Sequence, residues 1–207
     1  MRPPVFLTLA LTLLAAPARG GVELTAMAGY RSGELSYPIA IACIEIFPSP
    51  CPVGARSEEG EVFGLVLDVP WSEEWAVEAL VNHQETRLRF LHSPLLPPAD
   101  RLADGELEVT RAYAGVRRQW PRPRLTPFVA AGVGLADFRV TRAPPVLVPE
   151  ELRGARLSAT LAAGFEIALQ RRLGLRIEAR GYWTGLPERA GGDLVQTDAA
   201  IGLSYRP

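Results

Sequence analysis

The sequence predicts an all-β fold, an eight-stranded antiparallel up-and-down transmembrane β-barrel. Three observations carry this. Apolar and polar residues alternate with period two in about eight segments. The connections between those segments are strictly short, then long, in turn. The face opposite the apolar one carries charges of both signs. LGLRIEARGYW, Leu173 to Trp183, shows the pattern most clearly. Leu173, Leu175, Ile177, Ala179, Gly181 and Trp183 form one face, and Gly174, Arg176, Glu178, Arg180 and Tyr182 the other.

Residues 1–20 read as a cleaved signal peptide and 21–207 as the barrel domain. Arg2 supplies a basic start, and Val5 to Ala16 is an apolar stretch too short to span a bilayer. Ala16-Pro17-Ala18 and Ala18-Arg19-Gly20 both satisfy the small-residue cleavage rule. The mature chain is therefore expected outside the cytoplasm, where disulfides form. Cys43 and Cys51, in ACIEIFPSPC, are expected to staple a Pro-rich loop. No further Cys or His lies near them to complete a metal site.

The strands follow in order. Val22, Leu24, Ala26, Ala28 and Tyr30 alternate with Glu23, Thr25, Met27 and Gly29. Phe63, Leu65, Leu67 and Val69 make the second apolar face, and Trp75, Val77, Ala79 and Val81 the third. In LEVTRAYAGVRRQW the apolar parity changes near Thr110, which predicts a β-bulge. Val129, Ala131, Val133 and Leu135 form the next face. Leu157, Leu161, Phe165 and Leu169 recur every four residues and also fit a helix, but Gly164 and the strand pattern just after it favour a strand. Val195, Thr197, Ala199, Ile201, Leu203 and Tyr205 close the series.

The connections at 70–75, 119–125 and 170–174 are short, whereas 31–60, 91–104, 141–155 and 184–194 are long. All short turns then share one end of the sheet with both termini, the asymmetry of outer-membrane barrels. Tyr30, Trp71, Trp75, Trp120, Trp183 and Tyr205 fall near strand ends, where aromatic girdles sit. The opposite faces hold Glu23, Asp68, Glu78, Arg111, Arg117, Glu166, Arg176, Glu178, Arg180 and Asp198. About eight strands enclose only enough room for side chains, so these charges must pair. Gly29, Gly132, Gly134, Gly164 and Gly202 on the same face make room for long Arg and Glu chains.

The exported N-terminus, ELTAMAGYR, TPFVAAGVGL, RLGLRIEARGYW and the terminal AAIGLSYR together resemble the small bacterial outer-membrane β-barrels, the OmpA-transmembrane and OmpW-like group. The resemblance covers essentially the whole mature chain and implies fold rather than chemistry. It also implies outer-membrane lipid and the barrel assembly machinery as partners. Such barrels usually end on an aromatic residue, whereas this chain ends Tyr205-Arg206-Pro207, leaving Tyr205 in that role.

Little else in the chain suggests chemistry. The net charge of −1 gives no bulk attraction to nucleic acid. His83 and His92 are the only histidines, and His92 with Ser93 lacks an acidic partner in sequence. GVGLAD (132–137) lacks the third glycine and the helix of a nucleotide loop. RRQWPRPR (117–124) on a short turn faces anionic lipid head groups or solvent. No enzyme activity, cofactor or metal is expected. The expected role is structural or surface-binding, with a plugged, salt-bridged lumen and an unknown surface ligand. Two further readings stay open: a narrow OmpW-like conduit for small hydrophobic molecules, and a soluble exported barrel of the lipocalin type, whose apolar face would point inward.

Overall fold

The computed structural model describes residues 21–32, 36–38, 52–57, 59–92, 105–141, 154–185 and 194–207. Ten strands appear there: β1 Glu23–Ser32, β2 Ser36–Pro38, β3 Pro52–Ser57, β4 Gly60–Pro70, β5 Trp75–His92, β6 Gly105–Gln119, β7 Leu125–Thr141, β8 Gly154–Ala168, β9 Leu173–Thr184 and β10 Leu194–Tyr205. β1 and β4 to β10 make the barrel. Each pairs antiparallel with its chain neighbour, β1 pairs with both β4 and β10, and the β5–β6 ladder closes the ring. The fold is thus the eight-stranded antiparallel barrel that the alternation implies. The signal-peptide region, Cys43 and Cys51 lie outside the described residues.

Alternation settles into a fixed in–out assignment. Leu24, Leu65, Val81, Val116, Val133, Leu161, Ile177 and Ile201 point outward and are exposed. Their strand neighbours of opposite parity, such as Arg176 at 0% and Asp68 at 1% exposure, are inside. An apolar outer wall around a polar interior excludes the lipocalin arrangement, which needs the reverse. On β9 the outer apolar stretch runs from Leu173 to Trp183. That is about 33 Å of strand, or about 25 Å along the axis at a tilt of about 40°, the height of a lipid-facing band.

Three features depart from the sequence reading. The stretch 31–60 is not simply a loop, because it contains β2 and β3. β3 pairs with Leu88–His92, the overhanging end of β5. An overhanging strand end exposes unpaired N–H and C=O groups, and β3 satisfies them. PVGARS itself shows no apolar–polar alternation. His92, expected to start a loop, is the last residue of β5.

The expected bulge at Thr110 is absent. The register runs unbroken from Arg118 to Gly105 against β5, and from Gln119 to Glu106 against β7. What changes is the solvent. His83, Thr110 and Asp137 are cross-strand neighbours on the outer wall, and the His83 Nδ1 and Thr110 Oγ1 lie 3.0 Å apart. Beyond that row the outer wall carries Glu61, Glu85, Arg87, Glu108 and Arg139, while Val62, Leu107, Val109 and Phe138 turn inward and are buried. Lipid below the row makes outward apolar; water above it makes inward apolar. The parity change marks the edge of the membrane, and β5 (18 residues) and β7 (17 residues) continue past it.

Close strand approach is enforced at Gly134, where a Cβ would lie 1.9 Å from the Ala112 O and 2.7 Å from the Tyr113 Cα. At Gly132 the nearest atom would be 3.0 Å away. Gly134→Ala is therefore expected to cost about 1–3 kcal/mol through forced backbone movement, clearly more than Gly132→Ala. Urea unfolding of both variants in lipid vesicles checks this; equal costs would refute it. Gly154, at φ +81°, opens β8 in the left-handed region that glycine tolerates.

Candidate functional site: the lumen and its rims

The interior is stacked in layers, read upward from the end that carries the short turns. At the lowest level the Arg117 Nη1 donates to the Asp68 Oδ2 at 2.8 Å, and the Arg206 Nε donates to the Glu23 Oε2 at 2.8 Å. Arg206 also donates to Glu166. These five line a cavity of about 780 Å³ that opens between the short turns. Directly above, Arg176 is a hub. Its Nη1 reaches Asp68 at 2.8 Å, its Nη2 reaches Glu78 at 2.6 Å, and its Nε reaches Glu178 at 2.9 Å. Its guanidinium also stacks 4.4 Å from the Phe128 ring centroid. Arg180 bridges the same two glutamates, at 2.8 Å to Glu78 and 2.8 Å to Glu178.

An apolar layer follows, of Met27, Val66, Leu80, Tyr113 and Tyr182. Two tyrosine hydroxyls leave it upward or sideways: Tyr182 accepts from the Asn82 Nδ2 at 2.7 Å, and Tyr113 lies 2.8 Å from the Ser158 Oγ. The upper polar layer holds Arg31, which donates from Nε and Nη2 to Asp198 and from Nη1 to the Gln84 Oε1 at 2.6 Å. The inward apolar cap of Val62, Leu107, Val109 and Phe138 lies above.

Glu78, Arg111, Arg117, Glu166, Arg176, Glu178, Arg180 and Asp198, expected inside from parity, are all buried in the lumen. Their partners differ from the simplest pairing. Glu166 meets Arg117 and Arg206, and Asp198 meets Arg31, rather than the arginines of β9. Arg111 is held differently from an ion pair. Its Nη2 donates to the Gln196 side-chain oxygen, and its guanidinium lies 5.2 Å from the Tyr182 ring centroid, a ring it shares with Arg31 at 4.8 Å.

Arg31 and Arg206 escaped the sequence reading. The expected inner faces held six acids and four arginines, a deficit of two cations. Arg31 shares parity with Glu23 and was assigned to the first long connection; Arg206 shares parity with Ser204 and lies past the last strand. Charge counting could have pointed to further cations, because buried carboxylates need cationic partners; Arg31 is buried, whereas Arg206 reaches in from the periplasmic rim with its side chain 48% exposed. The buried layers then hold Arg31, Arg111, Arg117, Arg176 and Arg180 against Glu23, Asp68, Glu78, Glu166, Glu178 and Asp198, and the half-exposed Arg206 at the rim brings the count to six of each sign.

The aromatic residues near strand ends are on the outer wall. Trp71 and Trp75 stack with centroids 6.3 Å apart in the first short turn. Trp120 and Tyr205 lie at the same end, and Tyr30 and Trp183 lie toward the other. His83, outward on the β5 wall, contacts Thr110 and Glu85 and takes no part in the interior network.

An apolar wall of bilayer height around an ion-paired interior is the design of a bacterial outer-membrane barrel, and residues 5–206 match the family described as outer membrane protein beta-barrel domain. The chain belongs to that family. It is an outer-membrane protein, so the short turns face the periplasm and the overhanging strands face outward. No curated protein matches it. Among solved structures it is similar to Neisserial surface protein A (10% identity, 90% of this chain and 97% of that one, TM-score 0.57). It is also similar to OprG from Pseudomonas aeruginosa (12% identity, 91% and 97%, TM-score 0.55). AlkL, determined in lipid bilayers by solid-state NMR, is similar too (15% identity, 92% and 92%, TM-score 0.51). At these identities the likeness is one of fold.

Proposed function

We propose that this outer-membrane barrel is a non-conducting, non-enzymatic scaffold with a structural or surface-binding role, presenting its extracellular strand ends to the medium. The observation that supports the reading is the packing of the lumen at two levels. An ion-paired layer centred on Arg176 crosses the barrel above the periplasmic cavity, and Val62, Leu107, Val109 and Phe138 are buried toward the upper end. The periplasmic cavity therefore ends blindly beneath Arg176. A conduit for small hydrophobic molecules needs an apolar route past these layers, and the lower one is made of guanidinium and carboxylate groups. Outer-membrane lipid and the barrel assembly machinery are the proposed partners. Tyr205, outward and paired in register with Leu24 and Leu173 at the β1–β10 seam, is the proposed aromatic signal for the latter.

In planar bilayers the purified protein is expected to give no discrete conductance steps. Replacing Phe138 and Leu107 by serine should not open it either, because the ion-paired layer remains. Steady channels in the unmodified protein would overturn the closed-lumen reading.

A further inference from the structure

Among the described residues the two rims of the barrel differ in the charge of their outer surfaces. Among the described residues the extracellular wall is the more acidic, with Glu59, Glu61, Glu85, Glu106 and Glu108 against Arg87 and Arg139. The periplasmic rim is mainly basic: Arg118, Arg122, Arg124, Arg171 and Arg172 are all exposed, against Glu73 and Glu74. Backbone hydrogen bonds weld the short turns into one surface. Gln119 N donates to Glu74 O at 2.8 Å, Ala168 N to Arg124 O at 3.1 Å, and Arg206 N to Arg172 O at 2.9 Å. The arginines of the second and third turns thus form a fixed arc.

Arg118 shows how the arc meets the membrane. It is an outward residue of β6, paired in register with Trp75 and Val129 on the lipid-facing wall. Its guanidinium lies 5.5 Å from the Trp75 ring centroid and 5.3 Å from that of Trp120. Among the described residues its ion-pair contact is with Glu74, long at 3.7 Å and exposed. Two girdle indoles therefore hold a cation at headgroup depth with most of its donors free to face outward. A guanidinium there matches a phosphate oxygen pair in geometry and charge.

We propose that this arc is a binding surface for the phosphate headgroups of anionic phospholipids in the periplasmic leaflet. It acts with Arg118 as the membrane-depth anchor and Arg122, Arg124, Arg171 and Arg172 as the surrounding cationic field. The proposal rests on the outer-membrane placement and is independent of whether the lumen conducts.

The protein carries its own reporters, since Trp71, Trp75 and Trp120 lie on this rim and the fourth tryptophan, Trp183, does not. The test uses the full barrel with Trp183→Phe, refolded into phosphatidylcholine vesicles containing a minor fraction of brominated lipid. Brominated phosphatidylglycerol is expected to quench the rim tryptophans several-fold more than the same fraction of brominated phosphatidylcholine. That excess should vanish when all five arginines become glutamine. It should persist in a Glu61→Gln, Glu85→Gln variant of the opposite rim. Should the fivefold variant fail to fold, two measurements replace it: the Arg171→Gln, Arg172→Gln pair should reduce the excess, and raising salt on the unmodified rim should abolish most of it. Equal quenching by the two lipids in the unmodified rim would overturn the proposal, as would an excess that survives both substitution and salt.

Discussion

Replacing Arg176 with methionine is expected to lower the unfolding free energy by about 3–5 kcal/mol, the cost of removing one partner from a buried ion network. The side chain is fully buried and holds Asp68, Glu78 and Glu178 together within 2.9 Å. The lower layers contain buried Arg117, Arg176 and Arg180, with half-exposed Arg206 at the rim, against Glu23, Asp68, Glu78, Glu166 and Glu178, four cations to five acids. Without Arg176 the imbalance becomes three to five. Asp68 keeps Arg117, and both glutamates keep Arg180, so the loss comes from uncompensated charge rather than from a void alone. Adding Glu178→Gln to Arg176→Met restores the original difference of one and should recover a substantial part of the loss. Urea unfolding in lipid vesicles measures both. If Arg176→Met costs less than about 0.5 kcal/mol, as an exposed pair would, then water enters the lumen and the closed-lumen reading fails.

The second large effect is on the opposite face of the same strand. Ile177→Arg should cost about 2–4 kcal/mol, because it places a charge near the bilayer midplane. Ile177 is exposed on the outer wall, and its register neighbours Phe165 and Ile201 are exposed apolar residues as well. Leu173→Arg, at the periplasmic end of that strand, should cost only about 0–1 kcal/mol, since an arginine there reaches the interface. The depth dependence is the diagnostic feature. Equal costs at the two positions in vesicle unfolding experiments would show that the apolar wall does not face lipid. The Arg176 and Ile177 variants are adjacent in sequence yet fail for different reasons, one through the interior and one through the membrane. Glu178→Gln should therefore help the first and leave the second unchanged.

Most of the barrel was legible in the sequence because a membrane strand has two solvents, one per face, and alternation records both. Length of turns gave the orientation, and parity put the ten expected charges on one face, which the fold turns inward. The strand ends were not legible. Past His83, Thr110 and Asp137 the outer solvent becomes water, so the apolar face changes sides while the backbone continues unchanged. In sequence that inversion is indistinguishable from a bulge, since both shift the parity by one. β2 and β3 left no alternation to read; β3 pairs with the overhanging end of β5, and β2 pairs with β3.

By itself, then, the sequence determined which residues share a face, because side-chain direction along a strand follows from local geometry. It also determined that the interior must be charge-balanced, because unpaired charge in a narrow barrel is prohibitively costly. Only the tertiary structure decided which face is inside and which charges meet. Ion-pair choice depends on shear between strands far apart in the chain. Arg31 meets Asp198, separated by 167 positions, and Arg176 meets Glu78 across the barrel, separated by 98. No local pattern encodes those distances. Ring closure fixes them all at once, when β1 meets β10 and every inward side chain acquires its neighbours.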